Sequence, residues 1–330
     1  MKITFKNVGL GDSIILESVD GQIGIVDCKK FENTNPTIEF IKTSNPKEIL
    51  FVALSHPHFD HYSGMLELLK FFEDSQINIK YFIHTCYVHP KYLKWHEIDD
   101  EQSRLLSQIF SKVIELKQSK LINYIGYPTL NWQLKIGEGY ILHCISPSDT
   151  ESRAFTKQIN MFKKSNELKC SQASNLLSSV FVISNAKISI LLTADAEKQT
   201  FERLHQENND LECLNNKLVL GQIPHHGSIN NHYSKFWKKQ VRIEECFAVI
   251  SVGENKQYNF PHQEVVKAFK LMDYTVYATN HINGLVNFET PKEDIELSLA
   301  LDMDSEIIEA YQTEGDQSFL IAEKNAVSIL

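Results

Sequence analysis

The segment Ser55-His56-Pro57-His58-Phe59-Asp60-His61 decides the fold prediction, because it places three imidazoles and one carboxylate within six residues. It follows an apolar run at residues 49–54 and precedes a helical pattern that begins near Gly64. Burying four such polar groups without partners would cost several kcal/mol each, which excludes an ordinary core role. His56 and His58 project together, while Asp60 and His61 reach a second point about one metal–metal spacing away. Since imidazole and carboxylate suit zinc, manganese or iron, the segment predicts a two-metal centre.

The rest of the chain alternates short apolar runs with helical patterns. Runs rich in β-branched residues, bounded by Gly, Asn, Asp or Pro, predict buried strands at residues 23–26, 180–183, 188–192, 218–220 and 247–250. Two strand-rich halves with helices between them predict an α/β fold, a sandwich of sheets with outer helical layers. Residues 81–127 show no obvious strand run and carry a long amphipathic pattern at 101–117, which predicts a mostly helical insertion.

Composition narrows the classes of protein and of partner. The 330 residues include 33 basic and 42 acidic side chains, a net charge of −9, so the chain is not a broad passive binder of nucleic acid. The six cysteines form no CxxC pair, which favours reduced structural thiols in a cytoplasmic protein. The sequence has no apolar run of the roughly 18 residues that a membrane span needs, and its start lacks the pattern of a signal peptide. We therefore expect a cytoplasmic protein without a membrane partner.

Further motifs follow in a fixed order along the chain. They are Val8-Gly9-Leu10-Gly11-Asp12-Ser13, Ile25-Val26-Asp27-Cys28, Ser174-Asn175-Leu176, Leu191-Leu192-Thr193-Ala194-Asp195-Ala196-Glu197, Pro224-His225-His226-Gly227-Ser228, Ile250-Ser251-Val252-Gly253 and Phe260-Pro261-His262. With the histidine-rich segment, this series resembles the metallo-β-lactamase superfamily, and within it the hydrolase domain of ComEC-type competence DNA-uptake proteins. The resemblance covers nearly the whole chain; Lys29 stands where that family usually has glycine.

The resemblance implies a single αββα sandwich over residues 1–330, with the insertion at about 81–127. It implies two divalent metal ions, Zn²⁺ or Mn²⁺, with His56, His58, Asp60 and His61 as ligands and Asp195 as the carboxylate between them. His225 is expected to complete the Asp60–His61 site, and His226 then remains open as a ligand, a hydrogen-bond donor or a substrate contact. Around this centre the resemblance implies residues that support the ligands or line the pocket: Asp12, Asp27, Asn175, Ser228 and His262.

These parts predict a metal-dependent hydrolase, foremost a phosphodiesterase or nuclease that acts on DNA through water activated by a metal pair. Asp60 or Asp195 is expected to orient the water, and His226 or a metal-bound water to assist the leaving oxygen. The acidic net charge leaves open a small nucleotide or other ester as substrate, or a protein partner that presents the nucleic acid. A non-catalytic, metal-stabilised subunit is the alternative from another class. Redox relatives of the fold use HxExDH, and His58 occupies the glutamate position here.

Overall fold

The computed structural model describes residues 1–137, 139–163, 165–285, 315–321 and 327–329. One sheet has eight strands in this part of the chain, in the order β15-β14-β1-β2-β3-β4-β5-β6. These strands are β1 Lys2–Phe5, β2 Ile14–Glu17, β3 Ile23–Val26, β4 Glu48–Leu54, β5 Asn78–His84, β6 Ile122–Gly126, β14 Gln317–Ile321 and β15 Val327–Ile329. From β3 to β6 all neighbours are parallel, whereas β15, β14, β1, β2 and β3 pair antiparallel.

The second sheet has seven strands among the described residues, in the order β13-β12-β11-β10-β9-β8-β7. They are β7 Trp132–Lys135, β8 Ile141–Ser146, β9 Val180–Ser184, β10 Ile188–Leu192, β11 Lys217–Gln222, β12 Arg242–Ile250 and β13 Tyr274–Ala278. The strands β10 to β13 are parallel to one another, and the pairs between β7 and β10 are antiparallel. Both sheets therefore contain a parallel half, whose strands are linked by helices.

The helices are α1 Pro36–Ser44, α2 Phe59–Tyr62, α3 Met65–Asp74, α4 Pro90–Leu93, α5 Asp100–Gln118, α6 Asp149–Phe162, α7 Glu167–Gln172, α8 Lys198–Glu207, α9 Ser234–Lys239 and α10 Gln263–Lys270. Short 3₁₀ turns cover Ala173–Leu177, Glu212–Leu214, His225–Gly227 and Asn283–Leu285. No helix in the described ranges is long and apolar enough to cross a bilayer. All six cysteines are buried and free.

Three apolar clusters define the layers of the molecule. Phe5 and Phe319 of the first sheet meet Phe181 and Phe247 of the second in a core between the sheets. A second cluster packs α1, α3 and α5 against the outer face of the first sheet, and a third packs α8, α9 and α10 against the second sheet. Each sheet is thus buried on both faces, which is why its strands read as continuous apolar runs. The predicted αββα sandwich is confirmed.

The segment at residues 81–127 differs from the helical insertion that the sequence predicts. It contains the end of β5, the helix α5 and the whole of β6, which pairs in parallel with β5. The buried face of α5, including Leu106 and Ile109, packs into the core of the first sheet. The segment is therefore a β–α–β crossover at the edge of this sheet. Its last strand escaped detection because Asn123 and Tyr124 are exposed there and break the apolar pattern.

The topology brings the polar motifs to one edge. Parallel strands have their carboxyl ends on the same edge of a sheet, which is the usual place for a site in α/β folds. Five strands end one to three residues before a motif residue: β3 before Asp27, β4 before Ser55, β10 before Asp195, β11 before His225 and β12 before Ser251. Residues as distant in sequence as Asp12 and Gln222, which hydrogen-bond across 210 positions, thereby meet between the carboxyl ends of the two sheets.

Candidate metal centre

Two groups of potential metal ligands share Asp195. One contains His56, His58 and Asp195, and the other contains Asp60, His61, Asp195 and His226; the ligand atoms within each group lie within 4.8 Å of one another. The Oδ1 atom of Asp195 lies 3.4 Å from Nε2 of His61 and 3.5 Å from Nε2 of His226. Its Oδ2 atom lies 3.7 Å from Nε2 of His56. The carboxylate therefore presents one oxygen to each group.

The spacing of these atoms fits a bound cation. Tetrahedral ligands held ~2.0–2.1 Å from a metal lie roughly 3.3 Å from one another. His56 Nε2 and His58 Nδ1 are 3.2 Å apart, and His226 Nε2 is 3.3 Å from Asp60 Oδ2. Three buried atoms of the second group, Nε2 of His61, Oδ1 of Asp195 and Nε2 of His226, have no hydrogen-bond partner in the described part of the chain. Since unpartnered buried polar atoms are costly, their convergence on one point fits a divalent metal.

The remaining nitrogen of each grouped histidine is fixed by a hydrogen bond. Nδ1 of His61 donates to Oδ2 of Asp27 at 2.7 Å, and Nδ1 of His226 donates to the carbonyl of Ser251 at 2.7 Å. Nε2 of His58 donates to the carbonyl of Ser171 at 2.9 Å, while Nδ1 of His56 faces Oγ of Ser55 at 3.2 Å. Bonds of this kind select the tautomer that leaves the other nitrogen free to ligate.

The placement of His225 and His226 corrects the sequence-based assignment. His226, not His225, joins Asp60 and His61. His225 instead lies 3.4 Å from Oδ2 of Asp195, the oxygen that faces His56, and its Nδ1 has no partner among the described residues. Both histidines have positive φ angles, 49° and 54°, so a tight left-handed turn directs their side chains to different sides of Asp195. Sequence spacing carries no information about such a turn.

A network behind the ligands ties the two sheets together. Asp27 accepts hydrogen bonds from the backbone N–H and the hydroxyl of Ser55, at 2.7 and 2.6 Å. Asp12 accepts one from Nε2 of Gln222 at 2.8 Å, and Oε1 of Gln222 accepts the backbone N–H groups of Thr193 and Ala194. Asp27 thus lies behind His61, and Asp12 links this side of the centre to Gln222 of the second sheet. Sequence reasoning missed the partners Ser55, Ser171, Gln222 and Ser251; the signal available was Gln222, an amide inside a buried strand.

Two glycine-containing loops allow the sheets to approach at the centre. A Cβ atom on Gly11, whose φ is 135°, would overlap the carbonyl oxygen of Asp60. A Cβ atom on Gly253 would overlap the backbone of Gly9, so these two loops touch main chain to main chain. The close contact lets the Asp12 N–H donate to the Asp60 carbonyl at 3.1 Å. Glycine is needed at both positions because no side chain fits.

Electrostatics keep the carboxylates of the centre ionised. Burial raises the pKa of Asp195, but His225, His226 and His61 outweigh it and hold that pKa well below its usual range. Burial lowers the pKa of His226, but the neighbouring carboxylates of Asp195 and Asp60 raise it to about 9. Burial and the neighbouring His61 hold the pKa of His56 well below its usual range. The second group thus attracts positive charge, and His56 stays neutral and able to ligate.

The other expected pocket residues lie near the centre but outside both donor groups. Burial raises the pKa of Glu197, which precedes α8, and the neighbouring side chain of Asn175 opposes that rise. The backbone of Ser228 closes the turn after His226 by donating to the His225 carbonyl at 2.9 Å. Nδ1 of His262 accepts the N–H of Ile229 at 3.3 Å. These contacts support the loops of the centre; a direct role for the three residues stays a prediction.

No family model and no curated protein sequence matches the chain. Among solved structures, it is similar to YhfI of Bacillus subtilis, a metallo-β-lactamase fold protein, with 12% identity, a TM-score of 0.45, and coverage of 84% of this chain and 96% of that one. It is also similar to Zn²⁺-bound PqqB of Methylobacterium extorquens, with 10% identity, a TM-score of 0.45, and coverage of 84% and 98%. It is similar as well to unliganded PDE1 of yeast, with 10% identity, a TM-score of 0.48, and coverage of 84% of this chain and 97% of that one.

Proposed function

We propose that the chain is a metal-dependent hydrolase that cleaves phosphodiesters, with DNA as its substrate class. The observation that carries the proposal is the division of Asp195 between two donor groups, one oxygen to each. A shared carboxylate suits two cations ~3.5–4 Å apart, the arrangement found in phosphatases and nucleases. Bound there, a pair of divalent cations would supply Lewis acidity and a water molecule of lowered pKa. The nitrogen-rich first group, with His58 as its second histidine, favours hydrolysis over redox chemistry.

The exposure of each side chain at the centre indicates whether it can contact the substrate or only bind metal. Asp60 is 30% exposed at its side chain and lies 3.3 Å from His226, so it reaches both the centre and the solvent and can orient the attacking water. His226 is only 3% exposed, which suits a ligand. His225 is 22% exposed beside Asp195, so this imidazole, rather than the buried His226, is within reach of the leaving oxygen of a substrate.

DNA as the substrate class is supported by the resemblance to ComEC-type hydrolase domains. The net charge of −9 means that the metal centre, and not the whole surface, must bind the phosphates. A protein partner that presents the nucleic acid would supply the missing electrostatic attraction. Hydrolysis of a small nucleotide is the second candidate, and the same charge balance favours it.

Purified protein loaded with Mn²⁺, Zn²⁺ or Mg²⁺ should be offered single-stranded DNA, duplex DNA, RNA and a chromogenic phosphodiester. We expect cleavage, with Asp60→Asn reducing the rate about 10²-fold or more because a charge that positions the water is lost. Asp149→Asn is the matched control: this carboxylate is 74% exposed and pairs only with Arg153 in the described chain. Two bound metals with no cleavage in any combination would contradict hydrolysis and support the metal-stabilised subunit. Equal cleavage by wild type and Asp60→Asn would contradict the mechanism.

A further inference from the structure

Three large apolar side chains are exposed in the segments that carry the metal centre. Phe59 is 38% exposed and precedes Asp60, while Ile229 is 41% exposed and follows the His225–Gly227 turn. Tyr258 is 49% exposed and lies in the loop between β12 and α10. Isolated surface apolar residues need no explanation, but three beside one polar centre do. We call Phe59, Ile229 and Tyr258 the apolar rim.

Contacts within the centre bring the three segments of the apolar rim together. The 3.3 Å approach of Asp60 to His226 joins the segment of Phe59 to that of Ile229. The N–H of Ile229 donates to His262, which ends the loop of Tyr258. The three residues of the apolar rim therefore lie on segments that meet at the donor groups.

The ring of Tyr258 is held in place before any ligand binds. It stacks on Phe260 with 5.3 Å between ring centroids and 13° between planes, and Phe260 in turn contacts the ring of His225 edge-on at 5.5 Å. Phe260 is only 7% exposed. The side chain of Asn255 fastens this loop, because it donates to the carbonyls of Gly253 and Phe260 and accepts the N–H of Phe260. Phe260 thus covers one face of the Tyr258 ring, while about half of the Tyr258 side chain remains exposed.

The chemistry of this surface selects the ligand. Tyr258 is two ring contacts from His225, so a sugar and base attached to a phosphate at the donor groups would extend toward these segments. Stacking on a fixed aromatic ring is a sequence-tolerant way of binding a base, because every base has a π-face. We propose that Tyr258, with Phe59 and Ile229 beside it, is a base-stacking subsite that makes nucleobase-bearing phosphodiesters the preferred substrates. The inference rests on the proposed function and deepens it.

Two substrates with the same leaving group test the subsite: thymidine nitrophenyl phosphate, which carries a base, and methyl nitrophenyl phosphate, which does not. In the metal-loaded protein, Tyr258→Ala should lower kcat/KM for the thymidine ester roughly 5- to 150-fold, the range of one lost base stack. The methyl ester should be cleaved at the wild-type rate. Tyr258→Trp, which keeps an aromatic ring at this position, should cleave the thymidine ester with a kcat/KM close to that of the wild type. Tyr124→Ala is the matched control, a tyrosine 51% exposed on edge strand β6, which carries no member of either donor group.

Equal losses on both esters would overturn the subsite, because they would mean that Tyr258 only supports the loop. Unchanged rates on both esters would overturn it as well. Calorimetric binding of thymidine monophosphate and methyl phosphate to the metal-loaded protein separates this inference from the proposed function. If the wild type cleaves neither ester, the proposed hydrolysis is wrong, and the binding data alone test the subsite. Tighter binding of the thymidine compound, lost in Tyr258→Ala, would support the subsite. Equal binding of the two compounds by the wild type would overturn it.

Discussion

Replacing Asp27 with asparagine should weaken metal binding without touching a ligand. Oδ2 of Asp27 accepts the Nδ1 proton of His61 at 2.7 Å, and Oδ1 accepts the N–H of Ser55. In the Asp27→Asn variant, an amide NH₂ that faces His61 meets its N–H, so the imidazole proton moves to Nε2, the nitrogen that faces Asp195. The opposite orientation of the amide sets NH₂ against the N–H of Ser55. Either orientation leaves a conflict, because asparagine cannot accept at both positions.

The size of the effect follows from such hydrogen bonds behind metal ligands, whose loss typically lowers metal affinity ~10–100-fold. At a free metal concentration of about 100 times the wild-type Kd, binding stabilises the wild type by about 2.7 kcal/mol. A Kd raised 10- to 100-fold reduces that stabilisation to between about 1.4 and 0.4 kcal/mol. Thermal unfolding of Asp27→Asn should therefore respond much less to added metal.

The assay is a titration of metal-stripped protein with Zn²⁺ or Mn²⁺, followed by calorimetry and by thermal unfolding at fixed metal concentration. Asp149→Asn serves as the control, because its carboxylate lies on the surface beside Arg153. The metal-free Asp27→Asn variant should remain folded, which its circular dichroism checks. A Kd for Asp27→Asn within error of the wild-type value would refute the argument that Asp27 fixes the tautomer of His61.

Three further outcomes are expected. His226→Ala should remove one of two bound metals, because His226 belongs to the Asp60–His61 group, whereas His225→Ala should retain both; metal content by mass spectrometry checks this, and the reverse result would restore the sequence-based assignment. Burial lowers the pKa of His84 to about 3, below its value of ~6.5 in the unfolded chain, so its contribution is complete above pH ~6.5 and is lost as the pH falls toward 3. Between pH 7 and pH 5, the free energy of unfolding measured in urea should therefore decrease by about 2 kcal/mol less in His84→Phe than in the wild type. Equal decreases in the two proteins would count against this prediction. Deletion of residues 91–120 should give insoluble protein, because α5 covers the first sheet with Leu106, Ile109 and Phe110. A soluble, metal-binding deletion variant would instead support the prediction that this segment is an insertion outside the core.

The sequence predicted the layers of the fold because its buried strands read directly as apolar runs. It also located the residues that meet at the centre, since each follows such a run, although ligation itself stays a prediction. The strand β6 was missed because it lies at the sheet edge and exposes Asn123 and Tyr124. The sequence did not predict that His226, and not His225, lies with Asp60 and His61, because this placement depends on two left-handed residues in one turn. Local hydrophobicity predicts burial, but it is silent about the direction of a side chain in a turn.

Each donor group takes residues from both sheets: histidines from the turn after β4, and Asp195 from the turn after β10. The same boundary is crossed by the hydrogen bond from Gln222 to Asp12 and by the contact of Gly253 with Gly9. A cation held at either group therefore joins the two halves of the sandwich, so its binding free energy adds to the stability of their packing. Chelation should consequently loosen the contact between the glycine loops before it affects the core between the sheets. The expected sign of this coupling is that chelation increases amide exchange at Asp12, whose N–H donates to the Asp60 carbonyl, more than at Phe181 in the core between the sheets; an equal increase at both amides would contradict it.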